Sequence, residues 1–417
     1  MNINDHPVYQ AYQKLREDQY LFDKVSLPLC ASENIISPFC RLPLQDMTHE
    51  KYLLGGTREF AQAGNFIGGD ILFQIYNLIN KQIKTLFGCK YADARTLSGL
   101  NCITSILMAL TKIGDTIILS SIDSGGHSSV VKIAERLGLK IIEAPYDFIE
   151  YDYNYEQLNK IVREHKVKLI LLSPSNIIYP PKLNNIDTTN VLLIYDASQT
   201  LGMIASGILD NPLRYGENII LIGSTHKTLP GPACGLILTN NMNVANIIDG
   251  RINPIYVSIT QLQYKIVLLH TLIELELCGK AYGEKIQSNV KYLSEKFVGS
   301  SLFQLVGSVG KYSQTHQILL GINNDIYNNL KKNAINHSVT LNLSSNKRNN
   351  LFQRECGLRL GLQEISRYNW GTPELDSIRV IFDYLAMTNP PTKLGELLRS
   401  LSHKKEIHFT ITPLYKI

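Results

Sequence analysis

Residues 219–232 read Ile-Ile-Leu-Ile-Gly-Ser-Thr-His-Lys-Thr-Leu-Pro-Gly-Pro, and few folds accommodate such a run. Four apolar residues bounded by turn formers predict a buried strand of an α/β sheet. Sheets of that kind bind their ligands at the carboxyl ends of the strands. Lys227 therefore stands at the mouth of a candidate site, where a lysine gives up its charge readily and can form a Schiff base with an aldehyde. A second apolar run, Val191-Leu192-Leu193-Ile194-Tyr195, delivers Asp196 in the same way. Thirty-one positions separate Asp196 from Lys227, room for one helix and one strand, so the two are expected on neighbouring strand ends. A third run, residues 168–172, ends in Ser173-Pro174-Ser175.

Composition sets the frame. The chain has 417 residues, 44% hydrophobic and 18% charged, enough to bury a substantial core. The formal charge of +5 is spread over short basic runs, which does not suggest nucleic acid as a partner. Seven dispersed cysteines without C-x-x-C spacing fit free thiols in a reducing compartment. The first residues do not predict a leader peptide, and no apolar run reaches the ~18 residues of a membrane span, so a cytoplasmic protein without membrane contact is expected.

Several other stretches carry chemistry. Residues 6–24 place Tyr9, Tyr12, Leu15 and Tyr20 at helical spacing and predict an arm helix, and residues 71–87 predict another helix. Thr96-Leu97-Ser98-Gly99 feeds an apolar helical run, and a Ser-Gly turn at a helix start offers N–H groups and a positive dipole end to an anion. Asp123-Ser124-Gly125-Gly126-His127 follows a strand over residues 117–119. Residues 259–298 predict a long helix into a second region, where strands and helices alternate: 315–322, 327–337, 356–361, 372–387 and 393–402. Arg359 lies in the short strand Cys356-Gly357-Leu358-Arg359-Leu360-Gly361, a costly place for a charge unless it is paired. No metal-ligand pattern is found.

Ser224-Thr225-His226-Lys227-Thr228-Leu229 closely resembles the cofactor-lysine motif of the serine hydroxymethyltransferase family. Leu29-Cys30-Ala31-Ser32-Glu33-Asn34 is similar to that family's Leu-Ile-Ala-Ser-Glu-Asn, and residues 356–361 to its Gly-Ile-Arg-Val-Gly. The resemblance runs from about residue 27 to 362. It implies a pyridoxal 5′-phosphate (PLP) enzyme of the aspartate aminotransferase type, fold type I. Its large domain holds a mostly parallel seven-stranded sheet between helices, followed by a smaller C-terminal α/β domain. The expected division is an arm at 1–40, a PLP domain at 41–275 and a small domain at 276–417. By the same resemblance, Lys227 binds the cofactor's aldehyde, with Thr225 and His226 beside it, and Asp196 holds the pyridine nitrogen. His127 stacks on the ring, Ser98 and Gly99 hold the phosphate, and Ser175 lies near the phenolic oxygen. Gln199 takes the place of a family histidine. Arg359 and Ser32 bind the substrate carboxylate, and Tyr52 reaches the phosphate of a partner copy in a homodimer with shared sites.

Besides Gln199, the sequence departs from the family at Leu100, at Ala233-Cys234-Gly235 and at residues 253–257, and most of all in one loop. The family has a glutamate and a Tyr-Tyr-Gly-Gly run between its Lys-Tyr and the following helix. Here Lys51-Tyr52 and Gly68-Gly69 match, but Phe66-Ile67 replace the tyrosines and no acid keeps the spacing. Glu59 and Glu50 are the candidates for acid–base work. The expected activity is aldol or retro-aldol chemistry at Cα of a small serine-, glycine- or threonine-like amino acid. Use of tetrahydrofolate is left open. An aminotransferase, racemase or decarboxylase on the same scaffold, or an inactive PLP-binding relative, are the alternatives.

Overall fold

The computed structural model describes residues 3–55, 68–308, 310–345 and 350–412. The apolar runs of the first half form one seven-stranded sheet: β1 (Tyr91–Asp93), β2 (Thr116–Leu119), β3 (Lys140–Glu143), β4 (Val167–Leu172), β5 (Leu192–Asp196), β6 (Ile219–Ser224) and β7 (Gly235–Thr239). Their order across the sheet is β1-β7-β6-β5-β4-β2-β3. Only β7 runs against the others. All eleven residues of β6 and β7 are buried, because helices cover both faces.

Helix α1 (Pro7–Val25) forms the arm, and α2 (Asp70–Phe87) follows the altered loop. Helix α2 buries Phe73, Tyr76, Ile79, Ile83 and Phe87, a three- and four-residue spacing, and ends where Gly88 turns left-handed at φ 58°. Helix α3 (Gly99–Leu110) leaves the Ser-Gly turn, α4 (Ser128–Arg136) starts after His127, and α5 (Leu201–Ala205) joins β5 to β6. That short helix and β6 occupy the interval between Asp196 and Lys227, as the spacing predicts.

A single helix, α6 (Leu262–Phe297), then runs 36 residues. The division expected at residue 275 falls inside it. Beyond it lies an antiparallel sheet of β8 (Gln304–Leu305), β9 (Gln317–Ile322), β10 (Asn342–Ser344) and β11 (Cys356–Gly361), in the order β8-β9-β11-β10. Helices α7 (Asn324–Asn336), α8 (Thr372–Leu385) and α9 (Lys393–Ser402) complete this part. Leu27 and Pro28 pair in parallel with Val339 and Thr340, so the segment after the arm is anchored to the C-terminal part.

No residue of α1 is buried within the chain. Val8, Tyr12 and Leu15 are each more than half exposed and share one stripe of the helix. Among the described residues no helix is long and apolar enough to cross a membrane, and no cluster of histidine, cysteine and carboxylate side chains could hold a metal ion.

Candidate active site

The carboxyl ends of β5 and β6 form the floor of the site. Asp196 closes β5, and its Oδ1 accepts from Ser198 N at 2.9 Å and Ser198 Oγ at 2.5 Å. The other carboxylate oxygen has no donor among the described residues. Ser198 Oγ in turn meets Ser224 Oγ at the end of β6, which accepts from Gly99 N at 3.1 Å. These contacts draw the start of α3 down onto the two strand ends. A Cβ on residue 99 would lie 2.5 Å from Ser198 Oγ and 2.6 Å from Ser224 Oγ, so only glycine allows the approach. Ser98 Oγ caps the helix by accepting from Asn101 N at 3.1 Å.

The turn that leads into α3 is held from behind. Arg95, fully buried, donates through Nε to Asp93 at 2.9 Å and through Nη2 to Asp249 at 2.9 Å. Lys265, also fully buried, donates to Thr96 O at 3.0 Å.

Lys227 follows β6 and is mostly buried. Asn34 donates to its backbone carbonyl and to Tyr282 Oη, which joins the Ala-Ser-Glu-Asn segment to the lysine loop. Burial holds the Lys227 ammonium below its ordinary range; Asp196 opposes this and Arg359 reinforces it. The amine is thus kept ready to lose its proton. Thr225 is fully buried, and its hydroxyl donates to Pro232 O at 2.5 Å, shaping the Pro-Gly-Pro turn. The Nδ1 of His226 is buried without a partner among the described residues. His127 caps α4, its Nδ1 accepting from Ser129 N at 3.3 Å. Burial lowers its pKa, with Asp196, Lys227 and Arg359 all close enough to act on it.

Arg359 comes from β11. Its guanidinium donates to Ser175 O at 2.9 Å, to Ser32 Oγ at 3.2 Å, and to Asn176 Oδ1 and Asn342 Oδ1 at 3.3 and 3.4 Å. No carboxylate among the described residues pairs with it, and burial lowers its pKa. A cavity of about 330 Å³ opens beside it, lined by Gly125, His127, Ser175, Asn176, Asn342 and Phe352 among others. Lys227 and Arg359 are both largely buried, the charge of Arg359 acts on Lys227, and no carboxylate among the described residues pairs with the arginine. Such a site is built for anionic ligands.

These residues fit PLP: a lysine for the aldehyde, a carboxylate oxygen open to a ring N–H, an imidazole close by, and a helix start packed onto the strand ends for a phosphate. The structure brings Ser32, Ser98, Gly99, His127, Ser175, Asp196, Gln199, Lys227 and Arg359 together around the strand ends. Tyr52 is exposed instead and donates to Ser258 O at 2.9 Å. Glu59, Phe66 and Ile67 lie outside the described residues.

Several neighbours escaped the reading of the sequence. Asn34 and Ser224 lie inside the quoted motifs without an assigned task, and Ser198 follows Asp196 by two positions. His316 and Gln317, at the start of β9, are fully buried. The cost of burying polar groups in a strand, the argument applied to Arg359, would have singled them out.

His316 gives a prediction on stability. Its Nε2 is 3.2 Å from Ala31 O, and burial, helped by Arg359 and Lys227, pushes its pKa down to about 3 from an ordinary 6.5. The unfolded chain takes up this proton below about pH 6.5, while the folded chain does so only near pH 3. Stability is therefore lost as pH falls through this window, by about 1.4 kcal/mol per pH unit for one proton. His127 and His226, also lowered by burial, act in the same direction. Urea midpoints at pH 7 and 5 should lie closer together in His316→Gln than in wild type. Equal separation in both would contradict this.

Fold and site together define a PLP-dependent enzyme of fold type I. The chain covers 97% of itself and 93% of the crystal structure of an L-threonine transaldolase from Pseudomonas fluorescens at TM-score 0.88 and 21% identity, a likeness of fold. The family model of serine hydroxymethyltransferase matches residues 1–381. Serine hydroxymethyltransferase of Methanocella arvoryzae is 30% identical over 368 residues, 85% of this chain and 84% of the relative. That of Staphylothermus marinus is 27% identical over 404 residues, 93% of this chain and 89% of the relative. The chain belongs to the serine hydroxymethyltransferase family.

Proposed function

We propose that this protein makes or breaks the Cα–Cβ bond of a small β-hydroxy amino acid, with an aldehyde rather than a folate as the preferred one-carbon or carbonyl partner. The observation that carries the reading is two largely buried cations in one site, Lys227 under the charge of Asp196 and Arg359 free of any described carboxylate. Ser98 and Gly99 would hold the PLP phosphate, Asp196 the ring nitrogen, His127 the ring face, Ser175 and Gln199 the phenolic side, and Lys227 the aldehyde. When bound, PLP supplies an electron sink for charge at Cα. Arg359 orients the substrate through a two-pronged bond to its carboxylate, supported by Ser32. The Lys227 amine, kept below its ordinary pKa, can then carry a proton at Cα. The Asp196 carboxylate, through the oxygen that has no described donor, would accept from the ring N–H of the bound cofactor.

Phe66 and Ile67 can neither donate nor accept a proton, and a positioned acid or base is worth about two to four powers of ten in rate. Transfer from serine to tetrahydrofolate should therefore be slow or absent, while cleavage of a β-hydroxy amino acid to glycine and an aldehyde persists. A panel of serine, threonine and aromatic β-hydroxy amino acids, assayed with and without tetrahydrofolate, tests this. Serine turnover with tetrahydrofolate at an ordinary enzyme rate would refute it and point to Glu59 or Glu50; Glu59→Gln and Glu50→Gln would then show which.

The protein acts as a homodimer. The uncovered stripe of α1 and the exposed Tyr52 support this, because both surfaces would serve a second copy. Sedimentation should give a dimer, and Leu15→Glu should weaken it. A fully active monomer would contradict the proposal.

A further inference from the structure

Gln317 and Gln199 form a side-chain pair between the two sheets. Gln317 opens β9, and Gln199 lies three residues beyond Asp196. The Gln317 amide is fixed by backbone groups on both of its ends. Its Oε1 accepts from Ile177 N at 2.9 Å, and its Nε2 donates to Ser175 O at 3.0 Å and to Gln199 Oε1 at 3.0 Å. A backbone N–H can only donate and a carbonyl can only accept, so turning this amide over would set like against like at two contacts. Gln317 must therefore offer its NH₂ to Gln199, and Gln199 must answer with its oxygen. The Gln199 NH₂ is thereby turned away from Gln317, and it has no acceptor among the described residues. Gln199 is only 3% exposed, yet its amide nitrogen is not itself sealed off and so faces open space that a ligand can enter.

Two features tie the pair to the site. Ser175 O, which takes the Gln317 bond, also takes Arg359 Nη1 at 2.9 Å. Gln199 O accepts from Thr228 Oγ1 at 2.9 Å, next to Lys227. With the phosphate assigned to residues 98–99, the aldehyde to Lys227 and the ring nitrogen to Asp196, the Gln199 amide would join Ser175 on the phenolic side.

We propose that Gln317 is a positioning residue: it sets the Gln199 amide so that the Gln199 NH₂ donates to the phenolic oxygen of bound PLP. The inference rests on the PLP reading of the site. An amide does not titrate, so this donor is present at every working pH, unlike the histidine that the family resemblance places at 199. Gln317 and Arg359 share Ser175 O as an acceptor.

The test compares Gln317→Leu, Gln317→Glu, Gln199→Met and the double variant Gln199→Met/Gln317→Leu. A glutamate at 317 can still accept from Ile177 N, but it repels Ser175 O and Gln199 Oε1. Gln199 then relieves the clash by giving its NH₂ to the carboxylate, and the donor is withdrawn from the site. Each protein is titrated with PLP, the visible absorbance is followed from pH 6 to 9, and the unfolding midpoint is recorded without PLP. Wild type should keep its band unchanged across that range. Gln317→Glu should bind PLP about tenfold more weakly, the expected scale for losing a hydrogen bond to a charged oxygen, and its band should become pH-dependent. Gln199→Met should show the same spectral change while leaving the backbone contacts of Gln317 intact, and the double variant should be no worse than Gln199→Met. A purely structural role would lower the unfolding midpoint and leave the pH profile alone. If wild type binds PLP and the variants keep its affinity and pH profile, the inference is overturned and the cofactor reading stands. If wild type shows no PLP band, both fall.

Discussion

Lys227→Ala should abolish the visible absorbance that PLP shows when joined to a protein amine and lower amino acid cleavage by about two to four powers of ten. The expectation follows from position and electrostatics together. The lysine lies just past the end of β6 beside Asp196, and burial keeps its ammonium below the ordinary range. Removing a mostly buried cation should not destabilise the fold, so the unfolding midpoint without PLP should hold or rise. Absorbance and turnover measured on wild type and variant reconstituted in parallel decide the matter. Equal spectra would remove Lys227 from its assigned role.

Arg359→Leu should act on a different quantity. A buried, hydrogen-bonded charge pair is worth about 2–5 kcal/mol when one partner is cut away, or about 30- to 4,000-fold in kcat/KM. The carboxylate is held equally before and during reaction, so most of the loss should appear in KM. PLP affinity should change little, because the arginine contacts Ser32, Ser175, Asn176 and Asn342 rather than the lysine loop. Arg359→Lys keeps the charge but loses the fork, and should recover only part of the loss. Steady-state kinetics with an amino acid and with its carboxamide separate the effects: the variant should discriminate poorly between them. An unchanged KM for the amino acid would contradict the assignment.

The parts of this protein that were legible in its sequence are those where local chemistry and tertiary placement agree. The runs ending at Asp196 and near Lys227 are apolar because both faces of the sheet are covered, and the polar residues that follow mark the carboxyl ends. Arg359 was legible because a charge in an apolar strand requires a reason. Gln317 obeys the same rule, but its partners Ser175, Ile177 and Gln199 lie more than a hundred positions away, and only the packing of β9 against the loops after β4 and β5 brings them together. Helix α6 was legible over residues 259–298 because its buried positions continue along its whole length, and Gly279 and Gly283 pack within it rather than break it. The apolar spacing of α1 was visible, yet the chain alone buries none of it; such a pattern shows that a face needs covering, not what covers it. The acid–base loop departs from the family pattern in its residues, so its lost tyrosines are a matter of sequence alone.

Borohydride reduction of the PLP-loaded protein, followed by proteolysis and mass spectrometry, tests the central claim most directly. The reagent fixes the cofactor permanently to whichever amine holds it. One pyridoxyl phosphate group per chain is expected, on the peptide that carries Lys227, and none on the buried Lys265. A label on Lys265 or on any other lysine, or no label on a protein that retains PLP, would contradict it.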